Sequence, residues 1–192
     1  MGGLEALRKL LGGLPADLPA ALFIVLHTAD HEPGLLARVL GKAGSLPVLT
    51  AAEGQRFDPG RVYVAPPDRH LIIGRNHLHV RRGPRENGSR PAIDPLFRSA
   101  AASCTTRVIG VLLTGLLNDG TSGLQAIKRC GGLTLVQDPG DAAYGEMPRS
   151  ALRHVAVDHV LPLAAIPAAL VGLALEACPQ PATFPRRYGP RL

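Results

Sequence analysis

The sequence predicts an α/β fold: a doubly wound, mostly parallel sheet with flanking helices and one antiparallel hairpin. Three observations carry this. Short apolar runs such as residues 21–26 and 108–114 alternate with stretches of helical spacing. The run at 21–26 is apolar at every position, as in strands of parallel sheets covered on both faces. At 192 residues with 46% hydrophobic positions, the chain is long enough to fill one core.

Leucines at 4, 7, 10 and 11 share one helical face, and Gly12, Gly13 and Pro15 end that helix. Residues 21–26 then form a strand, 34–40 a helix, and 47–50 and 61–65 two further strands, the last halted by Pro66 and Pro67. Residues 70–73 and 77–80 flank a glycine-containing turn and read as the antiparallel hairpin. Asp94 followed by Pro95 reads as an N-cap and first helical position, opening a helix that runs to about Cys104. The strand at 108–114, the helix at 121–130 and the strand at 133–136 make a unit with a right-handed crossover. A helix-like stretch after Pro148, the run 155–163 and the apolar segment 164–177 complete a domain expected over residues 1–178. Prolines and arginines dominate residues 179–192, which are expected to be disordered.

The formal charge of +6 suits an acidic partner, but 4% aromatic content without tryptophan leaves no base-stacking platform, so nucleic acid is not expected. No apolar stretch is long enough to span a membrane and no secretory signal opens the chain, which makes a cytoplasmic location the expectation. Cys104, Cys130 and Cys178 are odd in number and widely spaced, giving neither a disulfide framework nor a zinc motif. His77 and His79 share a strand face but lack a third ligand, so with His70 they read as surface histidines and no metal is expected. His31, four residues after His27, sits in a loop rather than on a helix.

In open α/β sheets, functional groups collect at the carboxyl ends of strands. The strand at 21–26 runs into His27, and the strand at 108–114 runs through Gly115 to Asn118-Asp119-Gly120. A histidine and an aspartate so placed suit the base and orienting acid of a serine-type triad; the alternatives are a structural histidine and a turn aspartate capping the next helix. Gly2 and Gly3, ahead of the first helix, would let backbone amides approach an anion.

Several stretches occur together in a familiar order: Gly2 to Leu7, Val25-Leu26-His27, Glu53-Gly54 and Pro59 to Pro66. Arg90 to Phe97, Gly110 to Gly115, Asn118-Asp119-Gly120 and Tyr144 to Pro148 continue the series. From Gly2 to about Leu163 the chain resembles the catalytic domain of chemotaxis protein-glutamate methylesterases. That resemblance implies a carboxylic ester hydrolase acting on methylated glutamates of chemoreceptor cytoplasmic helices, or on a related signalling protein, with glutamine deamidation as a further activity. His27 would be the general base and Asp119 its partner. Met1, Gly2, Gly3 and the backbone amide of Leu116 would line the oxyanion hole and substrate cleft, and no cofactor is implied. A receiver domain or kinase would act in trans, and Arg81, Arg82, Arg85 and Arg90 would either meet acidic receptor helices or simply solvate a loop.

The family's nucleophilic serine falls one residue before Met1, so the first strand that carries it is expected to be missing from this sheet. Two readings follow: a misassigned start with the serine upstream, or an inactive methylesterase-like binding module. Among the serines present, Ser122 comes nearest to a strand-to-helix elbow, yet it reads better as the first turn of a helix.

Overall fold

The computed structural model describes residues 2–27, 32 and 34–177, and within them the apolar runs become strands of two parallel half-sheets. Strands β1 (Leu22–Ile24), β2 (Val48–Thr50) and β3 (Val62–Val64) form the first, with β3 in the middle. The hairpin is β4 (His70–Ile73) with β5 (Leu78–Arg81), antiparallel, with His70 opposite Arg81. Strands β6 (Ile109–Leu112), β7 (Leu133–Gln137) and β8 (His159–Leu161) form the second half-sheet in that order. Among the described residues six α-helices cover the strands: α1 (Gly2–Gly12), α2 (Leu35–Leu40), α3 (Ile93–Cys104), α4 (Thr121–Arg129), α5 (Glu146–His154) and α6 (Ile166–Ala177).

Side-chain alternation explains why the parallel strands β1, β3 and β6 carry no charged side chain on either face. Leu22, Ile24, Val62, Val64, Val111 and Leu135 pack with α1, α2 and α6 on one face. Phe23, Tyr63, Leu112 and Val136 pack with α3, α4, α5 and the hairpin on the other. Each face is therefore a separate hydrophobic layer, the doubly wound arrangement.

The two half-sheets do not pair with each other. β1 bonds only to β3 and β6 only to β7, so each presents an open edge among the described residues. Between these edges lies a cavity of about 510 Å³, lined by residues 20–27 along one side and 107–109 and 111–117 along the other. Gly2 and Gly3, at the start of α1, also line it. The sheet is thus interrupted where the expected first strand would lie.

Three expectations need correction. Asp94 is not the cap of α3: that helix begins at Ile93 after an extended Ala92, and Asp94 lies buried in its first turn. His70 is not a surface histidine, being 4% exposed. Its Nε2–H donates to the Pro84 carbonyl at 2.7 Å and its Nδ1 accepts from Ala92 N at 3.2 Å, which ties the hairpin to the segment leading into α3. His77 and His79 do not share a strand, because β5 starts at Leu78; His79 instead pairs with Glu53 at 3.0 Å. Cys104 and Cys130 are half-buried free thiols. Met1, His31, Cys178 and the tail at 179–192 lie outside the described residues.

Candidate active site

β1 and β6 point the same way, and their carboxyl-terminal extensions bring His27 and Asp119 together across 92 residues of sequence. The Nε2–H of His27 donates to Asp119 Oδ2 at 2.7 Å. Asp119 is 1% exposed, whereas the His27 side chain is 32% exposed and lines both the slot and a second cavity of about 340 Å³. With Nε2 committed to the carboxylate, Nδ1 is the nitrogen left to accept a proton.

The buried carboxylate is satisfied from several directions. Ile93 N donates to Oδ2 at 2.7 Å, and Asp94 N to Oδ1 at 3.1 Å, both from the first turn of α3. Gly120 N and Asn87 Nδ2 reach Oδ1 at 3.0 and 2.8 Å. Asp119 therefore sits at a helix N-terminus, where unpaired amides and the helix dipole favour a negative charge. Burial pushes its carboxyl up, but the bonds from His27, Ile93 N, Asn87 and Asp94 N outweigh that and hold it below the ordinary carboxylate value. The alternative role of capping α4 does not hold, because α4 is preceded by Gly120 in the left-handed conformation with no side-chain cap.

Beyond β6 the chain is zipped to the segment before α5. Thr114 Oγ1 donates to the Tyr144 carbonyl and accepts from Tyr144 N, at 3.1 and 2.7 Å. Gly115 N donates to the same carbonyl at 2.9 Å, and Met147 N to the Gly115 carbonyl at 3.0 Å. A side chain at 115 would overlap Met147 Sδ, so only glycine permits this approach. Leu117 takes a left-handed φ of +63° and gives its N–H to Glu146 Oε2 at 2.9 Å. Between these two anchored residues, the Leu116 N–H has no acceptor among the described residues. Leu116, Leu117 and Tyr144 are exposed around the mouth of the slot.

Gly2 and Gly3 are close-approach glycines as well. A Cβ at Gly2 would lie 2.8 Å from the Ala143 Cβ, and one at Gly3 would lie 2.9 Å from Leu26 Cδ1. The amino end of α1 is thereby wedged between the ends of β1 and the 143–144 turn. Ser122 is exposed on α4 and, like the other serines among the described residues, makes no hydrogen bond with His27. Arg81 pairs with Glu53, and Arg82 and Arg90 with Asp68, so three of the loop arginines are engaged within the chain.

Sequence reasoning missed Asn87 and the inward role of His70. The Asn87-Gly88 pair is a tight-turn signal, but nothing local says that its amide meets two carboxylates far away in sequence.

Comparison with known proteins gives a consistent result. A family model described as CheB methylesterase matches residues 1–170. The protein-glutamate methylesterase/protein-glutamine glutaminase 5 of Anaeromyxobacter dehalogenans is 43% identical over 90% of this chain and 48% of its own length. A putative protein-glutamate methylesterase/protein-glutamine glutaminase of Leptospira interrogans is 40% identical over 84% of each chain. The crystal structure of the Thermotoga maritima CheB methylesterase catalytic domain superposes with a TM-score of 0.86 at 32% identity, covering 90% of this chain and 93% of that one. The chain spans about half the length of the Anaeromyxobacter relative it matches.

Proposed function

Because the chain belongs to the CheB methylesterase family, we propose that His27 and Asp119 are the base and orienting acid of a serine-type hydrolase that demethylates protein glutamate esters. The observation that carries this reading is the 2.7 Å bond between an accessible imidazole and a fully buried carboxylate, at the ends of the two strands that flank the slot. The serine enters on an extended segment filling the slot, its carboxyl end beside His27 and the start of α1. The methylated cytoplasmic helices of chemoreceptors are the proposed substrate, the cytoplasm the proposed location, and a receiver domain or kinase the proposed regulator.

Each group then has a task. As the serine Oγ attacks the ester carbonyl carbon, its proton passes to His27 Nδ1, and Asp119 holds the tautomer and stabilises the imidazolium. The carbonyl π pair moves onto oxygen, where the Leu116 N–H and the amino end of α1 offer donors. Collapse breaks the bond to the methoxy oxygen, which takes the proton from His27 and leaves as methanol. Water, deprotonated by His27 in its turn, cleaves the acyl-enzyme to a glutamate carboxylate and free serine. Glutamine deamidation, which the relatives' names also carry, runs through the same steps with ammonia leaving. No step needs a metal or an organic cofactor.

A second reading, a binding module without turnover, is favoured by the absence of any serine bonded to His27 among the described residues. Methanol release from a peptide carrying glutamyl methyl esters separates the two. It is measured on this chain, on a form extended upstream through a strand and serine, and on the extended His27→Ala variant. Release by the extended form that the substitution reduces by about 10⁶, the loss a missing triad histidine causes, supports the enzyme. Equal rates with and without His27 exclude the mechanism.

A further inference from the structure

We infer that Asn87 is a positioning residue for the His27–Asp119 pair, its carboxamide clamping the Asp119 carboxylate to a second buried carboxylate, Asp94. The inference rests on the role proposed above for that pair. Asn87 Nδ2 donates to Asp119 Oδ1 at 2.8 Å and to Asp94 Oδ2 at 2.9 Å, which uses both amide protons. The other Asp94 oxygen accepts from Gly123 N at 2.7 Å. Asn87 therefore joins the first turn of α3 to the end of the β6 extension, and Asp94 carries the link on to the first turn of α4.

The backbone around Asn87 is built to hold that group still. Glu86 and Ser89 exchange N–H to carbonyl bonds of 3.1 and 2.8 Å, and Asn87 and Gly88 between them have φ of +50° and +76°. This is a two-residue turn with both central residues left-handed. Glu86 is gripped by the Arg98 guanidinium at 2.9 and 2.7 Å, and Arg90 closes the far side on Asp68 at 2.8 and 2.6 Å. Glycine would serve such a turn at least as well as asparagine. The turn does not require the side chain, whereas the two carboxylates have need of it. Two buried aspartates this close repel, and a donor between them lowers the energy of both. Burial pushes Asp94 up from the ordinary value, the Asp119 charge adds to that push, and the bonds from Gly123 N and Asn87 oppose it. The charged or titratable groups facing this pair of carboxylates are His27 and Arg98.

Asn87→Gly separates the bridge from the turn, since it deletes the carboxamide and keeps the backbone free to adopt positive φ. Asn87→Asp also tolerates that conformation but replaces the donor with an acceptor. Carbon-13 titration of the Asp119 carboxyl and the proton resonance of the His27 Nε2–H are followed on the chain itself, without reference to turnover. Asn87→Gly is expected to move the Asp119 titration upward and broaden the His27 Nε2–H resonance by exchange, with Asn87→Asp moving both further. In the extended form kcat should fall roughly ten- to a hundredfold with KM unchanged, the size of one lost hydrogen bond to a charged group. An Asn87→Gly protein whose Asp119 titration and His27 resonance match the wild type would overturn the inference. Absence of turnover in every extended protein would sink the hydrolase reading instead, while the two spectroscopic readouts still decide the role of Asn87.

Discussion

Replacing Asp119 by asparagine changes one oxygen into an NH2 group, and the surrounding donors dictate where that group goes. The Oδ1 position accepts three bonds, from Asn87, Asp94 N and Gly120 N, while Oδ2 accepts two, from His27 and Ile93 N. The carboxamide oxygen will keep the three-donor side, so the NH2 will face Ile93 N and His27 Nε2. His27 can adapt by moving its proton to Nδ1, but the Ile93 N–H cannot and is left against another donor. One buried donor without an acceptor costs about 1–3 kcal/mol, and guanidinium unfolding with an unchanged m-value measures it. The tautomer switch has the larger consequence: Nδ1, the nitrogen proposed to take the serine proton, now carries one. A fall in kcat of about 10⁴ is expected for the extended form, the size seen when a triad histidine is held in the wrong tautomer. Nitrogen-15 shifts of His27 report that tautomer directly. An Asp119→Asn protein that keeps the Nε2–H tautomer, or loses less than about tenfold in kcat, would refute this account of the pair.

Three further outcomes follow from the same contacts. The folded-state titration of Asp119 lies below the ordinary value of 3.8, so its contribution is complete above that pH and is lost as pH falls through the folded value; the stability gap between wild type and Asp119→Asn should narrow on acidification, as followed by denaturant melts at stepped pH. His70→Leu strands the Pro84 carbonyl and the Ala92 N–H, two groups joined only through that ring. A loss of about 2–5 kcal/mol is expected, with faster hydrogen exchange concentrated at residues 84–94. Gly115→Ala drives a methyl into Met147 Sδ, and thermal unfolding should register about 1–3 kcal/mol of overpacking that Met147→Ala relieves in the double variant.

The strands are legible because a strand covered on both faces must be apolar at every position, and residues 22–24, 62–64 and 109–112 meet that demand. The positions of His27 and Asp119 are legible for a related reason, since His27 directly follows the run 21–26 and Asp119 lies on the loop that leaves the run 108–114. Local signals fail where a distant group supplies what a neighbour usually does. Asp94 has the sequence of an N-cap, yet the amides of that helix turn are taken by Asp119, 25 residues further on, and Asp94 turns inward to Gly123. His70 carries the same lesson, because its partners at Pro84 and Ala92 make it a buried brace that its own neighbours do not foretell. The division of the sheet is a property of strand pairing, and residues 21–26 and 108–114 read identically whether their outer edges are paired or open.

In the role proposed for it, Asp119 links folding to chemistry in a specific way. A carboxylate that had only to orient an imidazole would need two or three bonds. This one also receives the leading amides of α3, the Gly120 amide and the Asn87 bridge. Its charge satisfies the start of a helix that packs closely on α4, so it is stabilised whether or not His27 is protonated. A base whose partner stays ionised through the cycle gains electrostatic support at the moment the imidazolium forms. The same bonds fix the carboxylate position before any substrate arrives. Stability and orientation therefore rest on one side chain, and substitutions that spare the α3 amides, such as Asn87→Gly, can separate the two roles, whereas changes at Asp119 itself cannot.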